Sequence, residues 1–472
     1  MLFNSLHFLL FFIIITACYF NLGWGGRWRL LLFASCYFYM AFKPVYILIL
    51  AVTIIVDYLA GLWIEKHTGQ TRKVILIISL LSNIGFLAFF KYYDFLVDNI
   101  NTAFLQLLSL PKPLPMLGEV IPGIILPIGL SFHTFQAMSY TIEVYRGNQP
   151  AERHFGIYSL YVMFYPQLVA GPIERPQNVL PQFHRYHSFD WEAVKSGLMQ
   201  MAWGMFKKVV IADRLALMVD HAYRMPEGHS GTTLLVATFF YTFQIYCDFS
   251  GYSDMAIGAA KVMGFDLMTN FRSPYLSKSI SEFWGRWHIS LSTWFRDYLY
   301  IPLGGNRVAE GRIYANLMLV FVVSGLWHGA SWNFIVWGFL HGTYLVLAKL
   351  RDDHLPALKL TPTPWTQVLN VIITFLLVML AWVFFRASSL SDAFYIIQKM
   401  IFPTDFQLST TLSRAEIIFS FFLITFLIFK ERFYPHIDTS HTTRFYVLFL
   451  CACTLIYLFG IYNSNQFIYF QF

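Results

Sequence analysis

Long apolar runs follow one another along this whole chain, near residues 2–21, 30–42, 44–64, 74–90, 120–141, 232–250, 313–330, 332–349, 366–385, 414–429 and 443–463. A helix that crosses a bilayer needs about 20 predominantly apolar residues. The runs therefore predict an all-α polytopic membrane protein with roughly eleven or more transmembrane helices. Composition closes off the soluble alternative, because 12% of the 472 residues are charged, against about 25% in a soluble domain. A water-exposed surface of ordinary make-up cannot be drawn from that supply. The net charge of +7 points, in so apolar a chain, to cytoplasmic loops and anionic lipid headgroups, and not to nucleic acid.

Basic residues follow the first run (Arg27, Arg29), precede the fourth (Lys66, Arg72, Lys73) and follow the fifth (Arg146, Arg153). Placing those loops in the cytoplasm lets each intervening span alternate and puts the N-terminus outside. The run from Leu2 to Phe20 has no Lys or Arg before it, which fits a retained span better than a cleaved signal peptide. The cysteines, Cys18, Cys36, Cys247, Cys451 and Cys453, are scattered through apolar sequence without a CxxC pair, and read as buried, reduced packing residues with no metal role. No Walker loop, GxGxxG turn or HExxH helix occurs, so nucleotide-phosphate and zinc-protease chemistry have no support.

Three stretches do not fit a simple up-and-down bundle. Residues 155–175 are broken by Pro166, Gly171 and Pro172. Residues 190–221 have a helical pattern interrupted by Lys207, Lys208, Asp213 and Arg214, and residues 271–307 set Arg272, Lys278, Glu282, Arg286, His288, Arg296, Asp297 and Arg307 among Trp284, Trp287 and Trp294. Such backbone survives in a bilayer only at the interface, as a re-entrant segment, or along a protein-walled cavity. The two halves of the chain do not echo one another, which speaks against a repeat-built transporter.

Of the 14 histidines, His133, His328 and His341 have strongly apolar surroundings. An ionisable side chain at membrane depth costs roughly 3 kcal/mol or more, so such residues pair or work. His328 closes an apolar run and is flanked by Ser324, Gly325, Gly329, Ala330 and Ser331, small residues that let a backbone or a substrate approach the imidazole. It is either a structural histidine bonded to a neighbouring carbonyl or a general base, since neutral imidazole titrates near operating pH. If the helix continues past His328, Ser331 and Trp332 share its face. His288 belongs either to an interfacial helix anchored by Trp and Arg or to a site whose cations hold the phosphates of a thioester carrier. For His133 and His341 the structural role is preferred. Asp248 and Asp254, six residues apart, would not share a helix face without a break at Gly251, and packing or support is the default for both. Arg175 is either a paired loop charge or a donor lining a cavity.

The stretches Leu126–Gln136, Tyr165–Ile173, Asp248–Asp254, Ser292–Gly305, Leu326–Trp332 and Trp382–Ala387, taken as an ordered set, resemble the membrane-bound O-acyltransferase family. Within it they are most similar to the bacterial branch that acetylates alginate and peptidoglycan. The resemblance implies a ring of tilted helices around a central tunnel, with N-terminal transmembrane helices over 1–118, a catalytic core over 119–390 and C-terminal transmembrane helices over 391–472. It places the family's membrane histidine at His328 and its second polar histidine at His288. Ser331, Trp332, Asn333, Trp294, Arg296, Asp297, Asp248 and Arg175 become candidates for binding substrate or lining the tunnel.

The implied reaction passes an acetyl group from a cytoplasmic thioester, acetyl-coenzyme A or the pantetheine of an acyl carrier, to an acceptor outside a bacterial inner membrane. No metal and no permanently bound cofactor is expected. A periplasmic SGNH-type esterase-fold partner would complete transfer to a polysaccharide. The rivals are D-alanyl transfer on the same fold, a proton-coupled exporter of an acyl group or glycolipid, and a scaffold with a structural histidine.

Overall fold

The computed structural model describes residues 1–108, 114–121, 126–355, 363–403, 405–462 and 467–468. Among these every regular element is helical, and they group into two compact units, Met1–Asp190 with Ala259–Leu267, and Trp191–Gly258 with Met268–Phe472. The grouping cuts across the three stretches expected from sequence (1–118, 119–390, 391–472), because packing and not chain order defines it.

The first unit contains α1 (Leu6–Asn21), α2 (Trp24–Met40), α3 (Ile47–Lys66), α4 (Gly69–Leu87), α5 (Tyr93–Leu108), α6 (Leu117–Val120), α7 (Leu130–Arg146), α8 (Phe155–Met163) and α9 (Pro176–Phe183). Helices α3, α4 and α7 pack together around a buried carboxylate: Asp57 accepts from Ser79 Oγ at 2.6 Å and from Asn83 Nδ2 at 2.8 Å, and Ser79 lies 3.2 Å from Thr141 Oγ1. Hydrogen bonds of this kind are what make a carboxyl tolerable in an apolar interior. The sequence pattern misses α5, because Lys91, Asp94 and Asp98 interrupt its apolar periodicity. The chain nevertheless continues from α4 into α5 through a π-helical stretch, Ala88–Tyr92.

The second unit contains α10 (Trp191–Met205), α11 (Asp213–Arg224), most of α12 (Gly231–Val262), α13 (Ile280–Trp284), α14 (Ile289–Phe295), α15 (Glu310–His328), α16 (Trp332–His354), α17 (Pro364–Arg386), α18 (Leu390–Ile401), α19 (Arg414–Phe433) and α20 (Thr442–Phe459). The ends of α17 and α19 follow from local sequence. Thr363 caps α17 ahead of Pro364, whose fixed φ suits a first helical turn, and Ser413 with Glu416 forms a reciprocal capping box on α19. The core of this unit is aromatic, with Trp287, Trp337, Trp382, Tyr241 and Phe283 all fully buried.

Four helices among the described residues are long and apolar enough to cross a membrane: Pro44–Lys66, Gly69–Gln106, Pro364–Arg386 and Thr442–Phe459. Leu6–Asn21 is apolar but shorter. Other apolar runs coincide with helices that carry more charge, such as α12 with Asp248, Asp254 and Lys261, and α19 with Arg414, Glu416, Lys430, Glu431 and Arg432. In the run at 120–141, Val120 closes α6 and the long helix begins only at Leu130, and residues 122–125 lie outside the described set. Outward apolar faces suit lipid: Leu9, Leu10, Ile13 and Ile14 on α1, and Val368, Leu369, Ile372 and Leu376 on α17, are exposed. Cysteine burial needs correction. Cys247 is buried, but Cys18, Cys451 and Cys453 are exposed free thiols on apolar helices, a position an uncharged thiol tolerates against lipid as well as in a core.

Two backbone devices shape the second unit. Between α10 and α11 the chain takes a π-helical form over Phe206–Ala212, which widens the helix and buries the adjacent Lys207 and Lys208 together. Helices α15 and α16 form a hairpin packed nearly backbone to backbone. A Cβ on Gly325 would lie 2.1 Å from the Phe334 carbonyl oxygen, and one on Gly338 2.2 Å from that of Phe321, so only glycine permits this approach. The hairpin fixes what stands at its turn, beginning with His328.

Candidate active site

His328 is the last residue of α15. Gly329 continues in extended conformation, and Ser331 caps α16. The helix therefore stops at His328, and the shared face expected for Ser331 and Trp332 does not form. Trp332 is 53% exposed. Asn333 is buried and commits an amide proton to the carbonyl of Ala387 at 2.7 Å, tying α16 to the end of α17. The imidazole of His328 is itself buried, enclosed by the rings of Trp327, Trp337 and Phe385 at centroid distances of 4.9, 5.0 and 5.3 Å.

His288 precedes α14 with φ of 43°, the left-handed region. A non-glycine residue held there stores of order 1–3 kcal/mol and persists only where its surroundings enforce it. Asn270 enforces it. Its backbone carbonyl accepts from Ile289 N–H at 2.9 Å, and its side-chain Oδ1 accepts from Ser290 N–H, Ser290 Oγ and His288 Nδ1 at 3.2, 2.9 and 3.1 Å. An amide oxygen only accepts, so Nδ1 of His288 carries the proton and Nε2 is the basic nitrogen. The His288 ring lies 4.7 Å from that of Phe249 and 6.3 Å from that of Trp327. Trp327 thus touches both His288 and His328, and the two histidines singled out in sequence are brought into one aromatic assembly.

The assembly extends to a third histidine. Trp337 stands 4.9 Å from His341, and His341 Nδ1 accepts from Trp284 Nε1 at 3.3 Å. Trp337 Nε1 and His341 Nε2 are buried with no hydrogen-bond partner among the described residues. Leaving a buried donor unmet costs about 1–3 kcal/mol, so each of these two groups carries a cost that an incoming acceptor would relieve.

The remaining candidates divide. Asp248 is part of a buried ion network: Lys208 Nζ pairs with Asp248 at 2.5 Å and with Asp213 at 2.9 Å, and Lys207 Nζ pairs with Asp254 at 2.5 Å. Helix α12 runs through Gly251 without a break, so the two aspartates reach two different lysines. The second oxygen of Asp248 accepts from the backbone of Ile468 at 2.8 Å. Trp294 is buried against Tyr298 at 5.1 Å, whereas Arg296 is exposed and pairs with its neighbour Asp297 at 2.8 Å. Arg175 belongs to the first unit, half-buried at the N-cap of α9. His133, also in that unit, is buried with Nδ1 3.3 Å from the Gly129 carbonyl.

The family model for membrane-bound O-acyltransferases matches residues 122–390. The chain belongs to the membrane-bound O-acyltransferase family. As an O-acyltransferase it is an enzyme rather than an exporter or a scaffold. It is 41% identical over 421 residues to a Pseudomonas aeruginosa protein named "Probable alginate O-acetylase AlgI", covering 88% of this chain and 78% of that protein. It is 36% identical over 398 residues to a Helicobacter pylori protein named peptidoglycan O-acetyltransferase, covering 79% and 73%. It is also 29% identical over 369 residues to a Streptococcus thermophilus protein named teichoic acid D-alanyltransferase, covering 72% and 87%.

In this acyltransferase the assembly around His328 can withdraw a proton with an imidazole and exclude water with packed rings. Sequence reasoning did not name Asn270 or Trp337 and preferred a structural role for His341, which the structure places in the same assembly. The first had no visible signal, because its role depends on a contact with a residue 18 positions away. The other two had one, an indole and an imidazole one turn apart on an apolar helix.

Proposed function

We propose that the enzyme is an O-acetyltransferase that takes acetyl from a cytoplasmic thioester and delivers it outside the membrane for O-acetylation of a polysaccharide such as alginate or peptidoglycan, with His328 as general base. The observation that carries the reading is the burial of His328 at the turn of the α15–α16 hairpin, joined through Trp327 to the strained, Asn270-held His288. His328 would take the hydroxyl proton of the acceptor as its oxygen attacks the thioester carbonyl. The C–S bond then breaks, and the departing thiolate recovers the proton from the imidazolium. His288 would position the thioester.

The same proposal extends to what surrounds the chemistry. The donor is acetyl-coenzyme A or an acyl carrier's pantetheine, used as substrate. The helices, eleven or more spans, ring a central tunnel in a bacterial inner membrane with the N-terminus outside, and a periplasmic SGNH-type partner completes the transfer. Support comes from the names of the relatives and from the basic residues near helix ends, Arg27 and Arg29 in the first turns of α2, Lys66, Arg72 and Lys73 about the α3–α4 turn, and Arg146 at the end of α7 with Arg153 after it. The relative named as a D-alanyltransferase favours D-alanyl transfer as the second reading, at lower identity.

The test is transfer of labelled acetyl from a thioester by the purified protein in lipid nanodiscs. General-base catalysis contributes about 10²–10⁴-fold, so His328→Ala should keep its thermal midpoint and lose at least that much. Transfer at the wild-type rate by that variant would refute the role of His328. Preference for a D-alanyl thioester would replace acetyl with D-alanyl.

A further inference from the structure

We infer that Trp337 and His341 are a pair of donors that bind the acyl carbonyl oxygen beside His328, an inference that rests on the acyl-transfer reading above. An indole N–H can only donate, so the 3.3 Å contact from Trp284 Nε1 makes Nδ1 of His341 an acceptor. In the neutral ring the proton then sits on Nε2. That atom and Trp337 Nε1 are both donors, both side chains are fully buried, and neither donor has a partner among the described residues.

Two other buried indoles of this core are met. The indole of Trp284 meets His341, and that of Trp382 meets the Tyr275 hydroxyl at 3.2 Å. The two unmet donors stand one turn apart on α16, with rings 4.9 Å apart, and the Trp337 ring is 5.0 Å from His328. A buried donor keeps its cost until an acceptor arrives.

The chemistry of the pair selects its ligand. Two neutral N–H groups repel cations and want an oxygen that only accepts, which a thioester carbonyl provides. When the acceptor hydroxyl attacks, its proton passes to His328 and the carbonyl π electrons move onto that oxygen. Collapse restores the carbonyl, breaks the C–S bond and returns the proton to the leaving thiolate. Donors already fixed in a dry site stabilise the intermediate charge without reorganising, and their proximity to His328 would place the carbonyl carbon within reach of the oxygen that His328 activates.

The test uses full-length enzyme in nanodiscs with an acetyl thioester. Trp337→Phe and His341→Phe keep aromatic bulk and remove one donor each. Each should lower kcat by about 10²-fold, the effect of losing one such donor, with the KM for the thioester little changed. His341→Gln restores an N–H and should recover most of the rate. Should His341→Phe fail to fold, Trp337→Phe carries the test, with the same expected loss. Full activity in Trp337→Phe and His341→Phe, or equal loss in His341→Phe and His341→Gln, overturns the inference. If the wild-type enzyme transfers acetyl and His328→Ala does not, such a result leaves the acyl-transfer reading intact; no transfer by the wild type overturns that reading instead.

Discussion

The second unit buries two polar clusters, and they are built on opposite terms. In the first, Lys207, Lys208, Asp213, Asp248 and Asp254 meet one another at 2.5 to 2.9 Å, Ser250 adds a bond to Lys207 at 2.8 Å, and a backbone N–H closes on Asp248. In the second, three histidines and their tryptophans are packed ring to ring, and the N–H groups of Trp337 and His341 have no hydrogen-bond partner among the described residues. A charged cluster survives in an apolar interior only when its charges are matched, so it behaves as part of the fold. Neutral imidazole and indole cost less to leave unmet and can be held ready for a substrate. On the proposed reading, the pairing of charges marks the cluster that holds the fold, and the unmet N–H groups mark the one that receives substrate.

The sharpest way to break that contrast is to remove a lysine. Lys208→Met leaves Asp248 and Asp213 facing each other without a cation, and breaking a buried pair from one side costs about 3–5 kcal/mol. The expected outcome is a large fall in the thermal midpoint, or loss of monodisperse protein, while whatever folds keeps near-normal turnover per molecule. Adding Asp248→Leu should recover part of the stability, because Asp213 alone remains. An enzyme that stays stable with Lys208→Met but loses turnover would move the ion network into the catalytic machinery and erase the distinction.

The sequence displays the second cluster better than the first, for a physical reason. His328 is visible because a titratable ring in an apolar run is costly and its small neighbours mark a close approach. His288 is visible because arginines and tryptophans gather around it. The membrane class is visible because charge is scarce everywhere. What stays hidden depends on contacts between distant segments: the lysines of the π-helical turn pair with aspartates of α12, and Asn270 reaches across to His288. The fate of Trp332 turned on one residue, Gly329, whose extended conformation ended the helix and detached Trp332 from the face of His328. His341 looked ordinary because its unmet nitrogen is a property of packing, which a single apolar helix does not reveal.

A smaller effect probes how the second cluster is held. Asn270→Ala removes the side-chain oxygen that accepts from His288 and Ser290, and with it part of the device that holds His288 at positive φ, the backbone bond to Ile289 remaining. Hydrogen bonds of this kind are worth about 1 kcal/mol each, so turnover should fall roughly 10-fold or more while the ion network keeps the midpoint within a few degrees. Asn270→Asp keeps the acceptor and should regain part of the rate. If both variants matched the wild type, the orientation of His288 would have no bearing on transfer.

The smallest effect lies at the surface, where Arg296 and Asp297 pair with each other in the exposed turn after α14. An exposed pair contributes little to the fold, so Arg296→Ala should change stability by no more than about 0.5 kcal/mol. If the basic stretch draws in the phosphates of the donor, the same substitution should raise the KM for a coenzyme A thioester several-fold with kcat unchanged. The difference should shrink as salt screens the attraction. Asp297→Ala supplies the opposite sign, because the carboxylate competes with phosphate for the guanidinium, and its removal should lower the KM. A KM indifferent to both substitutions would disconnect this turn from the donor and leave recognition to the buried rings, where charge has no part.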